Sequence, residues 1–268
     1  MDGSLFSSIR SFYWKDKIVV ALVGNPNTGK STLFNALTGL KQHTGNWPGK
    51  TVARAVGAYR YRGKEILLVA LPGTYSLLPF TPEERVTRDF LCFGRPEACL
   101  VVVDAVFLER NLPLVLQILE IVPKTVVCLN LIDEAERKGI SIDTETLADF
   151  LGVPVVPTAA RDGRGLEELK ETLDKLLEGT YSPRPLRLEY PPPVEEALFT
   201  LSRELFPWLG NRVNLRWIAL CLLMGEYEIL ESARYHGWRK GGVKGEDPFE
   251  VLFGRAPSTS RRSAAPAR

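Results

Sequence analysis

The chain has 268 residues, with 34 Lys plus Arg against 32 Asp plus Glu for a formal net charge of +2, and it is 45% hydrophobic and 25% charged. These are ordinary values for a folded chain long enough for one large or two medium domains, and the near-neutral balance gives no reason to expect nucleic acid as a partner. Its four cysteines (Cys92, Cys99, Cys128, Cys221) are scattered without a C-x-x-C pair and its two histidines, His43 and His236, are isolated. That argues against a zinc site or disulfide framework and for a reducing compartment.

In chain order, residues 1–16 form an extension without an inferable role and without a secretory signal pattern. From Lys17 to about Gly179, short β-branched runs alternate with helical segments. The strand candidates are KIVVALVG, VGAYRYRG, EILLVAL, ACLVVVDA, KTVVCLN and VPVVPT; STLFNALTGL, PEERVTRDFL, LPLVLQILEIV and LEELKETLDKLLE carry helical periodicity. The pattern predicts an α/β fold with a mostly parallel six-stranded sheet covered by helices on both faces. SPRPLRLEYPPP, residues 182–193, reads as a semi-rigid connector. Beyond it, PVEEALFTLSRELF, LRWIALCLLMGE and YEILESARY are helical with no strand run, so a small all-helical domain is expected. The boundaries drawn on this basis are 1–16, 17–181, 182–253, and a disordered tail or linker over 254–268. The longest apolar runs, IVVALV and WIALCLLM, fall far below the ~18 to 20 residues that span a bilayer.

Directly after the first strand run comes Gly24-Asn25-Pro26-Asn27-Thr28-Gly29-Lys30-Ser31, a match to G-x-x-x-x-G-K-[ST]. In such a loop glycines let backbone N–H groups turn inward around phosphates, Lys30 meets the β and γ oxygens, and the Ser31 hydroxyl serves magnesium. The helix that starts there, through Thr32, adds its positive dipole end. KTVVCLN ends in Asn130-Leu131-Ile132-Asp133, an N-x-x-D at the carboxyl end of a strand. A carboxylate there accepts two hydrogen bonds from guanine N1–H and the 2-amino group, which adenine does not offer; the competing explanation is a helix N-cap. The next strand run ends in Thr158-Ala159-Ala160, whose backbone can donate to guanine O6. Between STLFNALTG and VGAYRYRG lies a polar stretch expected to be a functional loop, where Gly49, Lys50, Thr51, Val52 and Ala53 complete the expected nucleotide contacts and Thr51 is placed to reach magnesium and the γ-phosphate; the competing explanation is a solvated loop with an incidental threonine.

The runs GNPNTGKSTLFNALTG, TGNWPGKTVA, LPGTYSL, FTPEERVTRDFL, NLIDEAERKGI and RWIALCLLMGE together resemble the cytosolic amino-terminal region of bacterial ferrous iron transport protein B, over residues 17 to 235. The resemblance implies a Ras-like P-loop GTPase domain using GTP or GDP and Mg²⁺, then a helical regulatory domain. It also implies a membrane-embedded iron-permeation region, absent here, which would put this part at the cytoplasmic face of the bacterial inner membrane and allow homo-oligomers through that region. GTPases of this class end the strand before the second switch in D-x-x-G; this chain has Ala70-Leu71-Pro72-Gly73. Gly73 is kept as the γ-phosphate contact beside the catalytic Lys30 and Thr51, but the aspartate is missing, so binding with slowed hydrolysis is expected. Thr74 stands where Ras has its water-orienting glutamine, and the resemblance to potassium-stimulated GTPases assigns K⁺ to Asn27. The alternatives are an RNA-maturation or assembly GTPase, which would carry a basic appendage, and a nucleotide sensor without turnover.

Overall fold

The computed structural model describes residues 17–39, 42–46 and 52–236. A seven-stranded sheet runs in the order β2-β3-β4-β1-β5-β6-β7. Its strands are β1 (Ile18–Gly24), β2 (Gln42–Asn46), β3 (Ala53–Tyr61), β4 (Lys64–Ala70), β5 (Ala98–Asp104), β6 (Thr125–Asn130) and β7 (Val155–Pro157). The pairs β4–β1, β1–β5, β5–β6 and β6–β7 are parallel, whereas β2 and β3 join antiparallel.

The central strands are almost continuously apolar because both faces are covered. Along β1, Val19, Ala21 and Val23 pack on one side and Val20 and Leu22 on the other. The first side meets Phe90 of helix α2 (Pro82–Phe93) and Ile118 of α3 (Leu108–Ile121); the second meets Phe34 of α1 (Lys30–Thr38) and Leu173 of α6 (Leu166–Glu178). Because β4, β1, β5, β6 and β7 share one direction, their carboxyl ends at Ala70, Gly24, Asp104, Asn130 and Pro157 gather at one edge of the sheet, where open α/β folds bind ligands.

All six expected strands are present. The seventh, β2, falls in the stretch expected to be a loop, and β3 begins at Ala53 rather than Val56. The β2 sequence is polar and has no alternation to read; its backbone is satisfied by pairing Gln42–Asn46 against Ala53–Gly57. Two short helices also escaped the periodicity, α4 (Ile132–Arg137) and α5 (Thr144–Leu151).

After the proline-rich connector, α7 (Pro192–Leu209), α8 (Leu215–Leu223) and α9 (Glu228–His236) follow with no further strand among the described residues. The connector is stitched down: Arg184 and Leu186 N–H donate to the Gly152 and Leu151 carbonyls, and Leu188 N–H donates to Glu120 of α3 at 3.2 Å. Arg216 of α8 donates to both Glu195 carboxylate oxygens, at 2.5 and 2.7 Å, and to the Leu188 carbonyl. Leu198, Trp208, Trp217 and Ile218 belong to the same hydrophobic cluster as Val86, Phe90 and Ile118, so the helical part and the sheet share one core. No helix of the described residues is long and apolar enough to cross a membrane.

Candidate nucleotide site

The site grows from the end of β1. A Cβ on Gly24 would run into the Val102 carbonyl of β5, so the strand must end in glycine for the loop to leave the sheet here. Asn27 and Gly29 both sit in the left-handed region, at φ 66° and 80°. Turning the chain this way points successive N–H groups inward, the arrangement that cradles anions. The buried Thr28 hydroxyl donates to the Asn25 carbonyl at 3.0 Å and closes the loop from inside, while Pro26 lies on its cavity side. Helix α1 then starts at Lys30 with no acidic residue in its first turn and no side chain capping its N-terminus. Its first N–H groups therefore remain open to an anion. Lys30 Nζ donates to the Gly24 carbonyl at 3.3 Å, and burial lowers its pKa to about 8. Ser31 and Thr32 are exposed on the first turn and line the cavity with Phe34 and Asn35.

This cavity, about 910 Å³, is closed on its other side by Ala55 and by Ala70, Leu71, Pro72 and Gly73, large enough for a nucleotide-sized ligand. Leu71 N–H donates to the Leu22 carbonyl at 3.0 Å, carrying the chain from β4 across the end of β1. A Cβ on Gly73 would lie 3.3 Å from Lys30 Nζ and from the Pro26 Cα, so this peptide packs closely against the phosphate loop. Thr74 is buried; its hydroxyl donates to the Ser76 carbonyl at 2.5 Å and lies 3.2 Å from Glu84, facing away from the loop. Val52 is buried in the core and Ala53 opens β3, whereas Gly49, Lys50 and Thr51 lie outside the described residues, as do residues 1–16 and the tail over 254–268.

A third segment reaches the loop through one side chain. Asn130, buried at the end of β6, donates from Nδ2 to the Thr28 carbonyl at 2.9 Å. Its Oδ1 accepts from the Thr158 hydroxyl and from Ala160 N–H, both at 3.1 Å. The same amide thus joins the phosphate loop to the Thr158–Ala160 turn, and a Cβ on Gly29 would collide with it. The N-cap explanation for N-x-x-D does not hold: Leu131, in the left-handed region at φ 61°, is the N-cap of α4, and no side chain caps it. Ile132 N–H donates to the Thr158 carbonyl at 3.1 Å, which fixes Asp133 in the first helical turn beside the Thr158, Ala159 and Ala160 segment. Its carboxylate is partly exposed and is met by Arg137 at 3.4 Å. The structure thus brings 24–32 and 70–73 to one cavity and ties 130–133 and 158–160 to it through Asn130.

Several residues that hold the segment after Gly73 were not singled out in the sequence. The Thr87 hydroxyl donates to the Pro72 carbonyl at 3.0 Å, and Leu77 N–H donates to Gln117 of α3 at 2.7 Å. Glu84 closes a capping box with Thr81 at the start of α2, a signal legible as T-P-E-E. All four cysteines are buried, and burial pushes the Cys128 and Cys221 thiols up to about 12, which suits packing rather than reactivity.

The family model described as ferrous iron transport protein B matches residues 18–173. The Fe(2+) transport protein A/Fe(2+) transporter FeoB fusion protein of Porphyromonas gingivalis is 43% identical over 216 residues, 79% of this chain and 26% of its own. The chain thus spans about a quarter of the length of that relative. The cytosolic domain of the T. maritima FeoB iron transporter in a GDP form superposes with a TM-score of 0.74 at 37% identity, covering 89% of this chain and 92% of that one. Its GMPPNP form gives 0.74 at 37% identity over 88% and 93%. With more than half of its length matched by the family model, and a fold that superposes on the FeoB cytosolic domain over 89% of its length, this chain belongs to the ferrous iron transport protein B family.

Proposed function

We propose that this chain binds GTP and GDP in the cavity between the phosphate loop and the Ala70–Gly73 segment, and acts as the GTP-hydrolysing regulatory part of a bacterial ferrous iron transporter. The observation that carries the reading is the Asn130 amide, which ties the loop carbonyl at Thr28 to the turn at Ala160 beside Asp133. That link sets a phosphate cradle and a purine-reading carboxylate in one frame. The GDP and GMPPNP forms of the T. maritima FeoB cytosolic domain support the same ligand class. On this reading Asp133 accepts from guanine N1–H and the 2-amino group; Thr158 and Ala159 N–H already donate to the Leu129 and Arg164 carbonyls, so only Ala160 N–H, by sharing its Asn130 Oδ1 acceptor, would serve O6.

The donor chemistry fits magnesium in part. Ser31 presents a hydroxyl at the cavity, and Thr51 is the second protein donor the sequence suggests. Ala70 lines the same cavity with a methyl group where an aspartate would hold a metal-bound water. When bound, the ion would neutralise developing charge on the phosphates. An outer partner lost from a metal site costs ~10 to 100-fold in affinity or activity, so we assign this chain retained binding and slowed turnover. Ala70 also favours a second reading, a nucleotide sensor without appreciable hydrolysis. Asn27, exposed in its left-handed turn, is the residue assigned to potassium.

Nucleotide state would pass to the helical part through α2, which begins nine residues after Gly73. Its fully buried Arg88 donates to Glu226 at 2.7 Å and to Ser232 at 3.1 Å, and Ser232 in turn donates to Asp89. We propose that the chain works at the cytoplasmic face of the inner membrane, with the iron-permeation region of a transporter as its partner and homo-oligomers formed through that region. The helical segment carries mixed charge, which weighs against an RNA-binding appendage. Calorimetry with GDP, GTP and ATP followed by timed phosphate release in potassium and in sodium tests the reading. Guanine-selective binding with slow, potassium-stimulated release is expected; equal binding of ATP would refute it, equal rates in the two salts would remove the Asn27 assignment, and binding without release would favour the sensor.

A further inference from the structure

Next to the cavity, and outside every contact assigned to nucleotide so far, lies a cation–π pair. The Arg110 guanidinium sits 4.9 Å from the centre of the Tyr75 ring. Both side chains are exposed, yet each backbone is tied to the site. Tyr75 is two residues past Gly73, and the intervening Thr74 N–H donates to the Gly24 carbonyl at 3.4 Å. Arg110 lies in the first turn of α3, and its carbonyl accepts from the Asn25 side chain of the phosphate loop at 3.5 Å. One residue of α3 therefore touches the phosphate loop with its backbone and the Gly73 segment with its charge.

The remaining anchors of that segment all act from its inner side or farther along it. Thr87 holds Pro72, Thr74 turns back on Ser76, and Gln117 holds Leu77. Tyr75 has 47% of its surface exposed, and the Arg110 guanidinium stacks on its ring. From this geometry we infer that Arg110 and Tyr75 form a positioning pair that clamps the Gly73 peptide at the γ-phosphate end of the cavity, an inference that rests on the proposed GTP hydrolysis. Neither residue itself lines the cavity, and only the Arg110 backbone reaches a lining residue, Asn25, so the paired side chains orient the segment for phosphoryl transfer from outside the nucleotide contacts.

The test is steady-state GTP hydrolysis by the parent chain and by Tyr75→Leu, Tyr75→Phe, Arg110→Ala and the Tyr75→Leu/Arg110→Ala double variant, each with a melting curve. An exposed cation–π contact corresponds to about two- to fivefold in rate, so Tyr75→Leu and Arg110→Ala are each expected to lower kcat by that factor. KM for GTP and the melting temperature should stay unchanged. The double variant should be no slower than either single one, the mark of a shared contact. Tyr75→Phe, which keeps the ring, should recover the parent kcat. Unchanged kcat in Tyr75→Leu, additive losses in the double variant, or a Tyr75→Phe as slow as Tyr75→Leu would overturn the pair. A parent chain that binds GTP and releases no phosphate would overturn the hydrolase reading itself, and the pair with it.

Discussion

Replacing Asn130 by alanine removes three hydrogen bonds at once from a place water does not reach. The Thr28 carbonyl loses its donor at 2.9 Å, and Ala160 N–H and the Thr158 hydroxyl lose their shared acceptor at 3.1 Å. Thr158 retains the Cys128 sulfur at 3.0 Å, so two groups are left fully orphaned. At ~1 to 3 kcal/mol for each buried polar group left unsatisfied, the substitution should cost about 2 to 6 kcal/mol in all. Because the lost bonds join the phosphate loop to the Ala160 turn, the cost divides between folding and ligand binding. Urea unfolding of the free protein should show a lower midpoint at unchanged slope, and titration with GDP should show the remainder as weakened affinity. Asn130→Asp keeps the acceptor toward Thr158 and Ala160 but sets a carboxylate against the Thr28 carbonyl, so it should be at least as damaging. A combined loss below about 1 kcal/mol in Asn130→Ala, less than one ordinary orphaned group, would refute the clamp.

Restoring the missing carboxylate with Ala70→Asp should raise GTP turnover by ~10 to 100-fold, and turnover unchanged by the substitution would show that the methyl group at this position costs nothing. GDP affinity should fall as pH rises through about 8: free Lys30, depressed by burial, loses its proton there, while phosphates would hold the proton on in the complex, so binding above that pH takes up a proton. Between pH 7 and 9 the drop should approach about tenfold and should vanish in Lys30→Arg, whose charge does not titrate; a flat profile in the parent contradicts the assignment. Arg88→Ala leaves Asp89 and Glu226 without their shared cation, and because Glu226 is partly exposed the expected loss of stability is at the lower end of ~3 to 5 kcal/mol; an unchanged unfolding midpoint would mean that α2 and α9 are not coupled there.

The sequence was most legible where burial is two-sided and the chemistry needs a fixed spacing. β1, β5 and β6 are unbroken apolar runs, and the Gly24–Ser31 loop is specified by residues whose backbone freedom the structure uses directly at Gly24 and Gly29. Helix α2 could be read from periodicity and, in retrospect, from its Thr81–Glu84 capping box. α5 carries little periodic signal although Asp143 caps it by accepting from Thr146 N–H at 2.9 Å, because only Leu151 of that helix is fully buried and the apolar stripe is thin. β2 was illegible for a different reason: its pairing is dictated by the neighbouring β3 and not by its own residues. The role of Asn130 was half visible. Its place in N-x-x-D points to the purine, but its bond to the Thr28 carbonyl, 102 residues away in sequence, follows only from β1 and β6 ending at the same edge of the sheet on either side of β5. The anchors of the Gly73 segment, Thr87 and Gln117, carry no local signal because each acts across helices from an ordinary amphipathic position.

The central claim is that Asp133 reads a guanine whose phosphates lie in the Gly24–Ser31 loop, and calorimetric titration of the parent chain and Asp133→Asn with GDP, ADP and xanthosine diphosphate tests it most directly. The account predicts that the parent prefers GDP over ADP by at least ~10²-fold, and that Asp133→Asn loses GDP while gaining xanthosine diphosphate, whose carbonyl at C2 accepts from the new amide. Equal affinity of the parent for GDP and ADP, or an Asp133→Asn chain that binds GDP as the parent does, would contradict it.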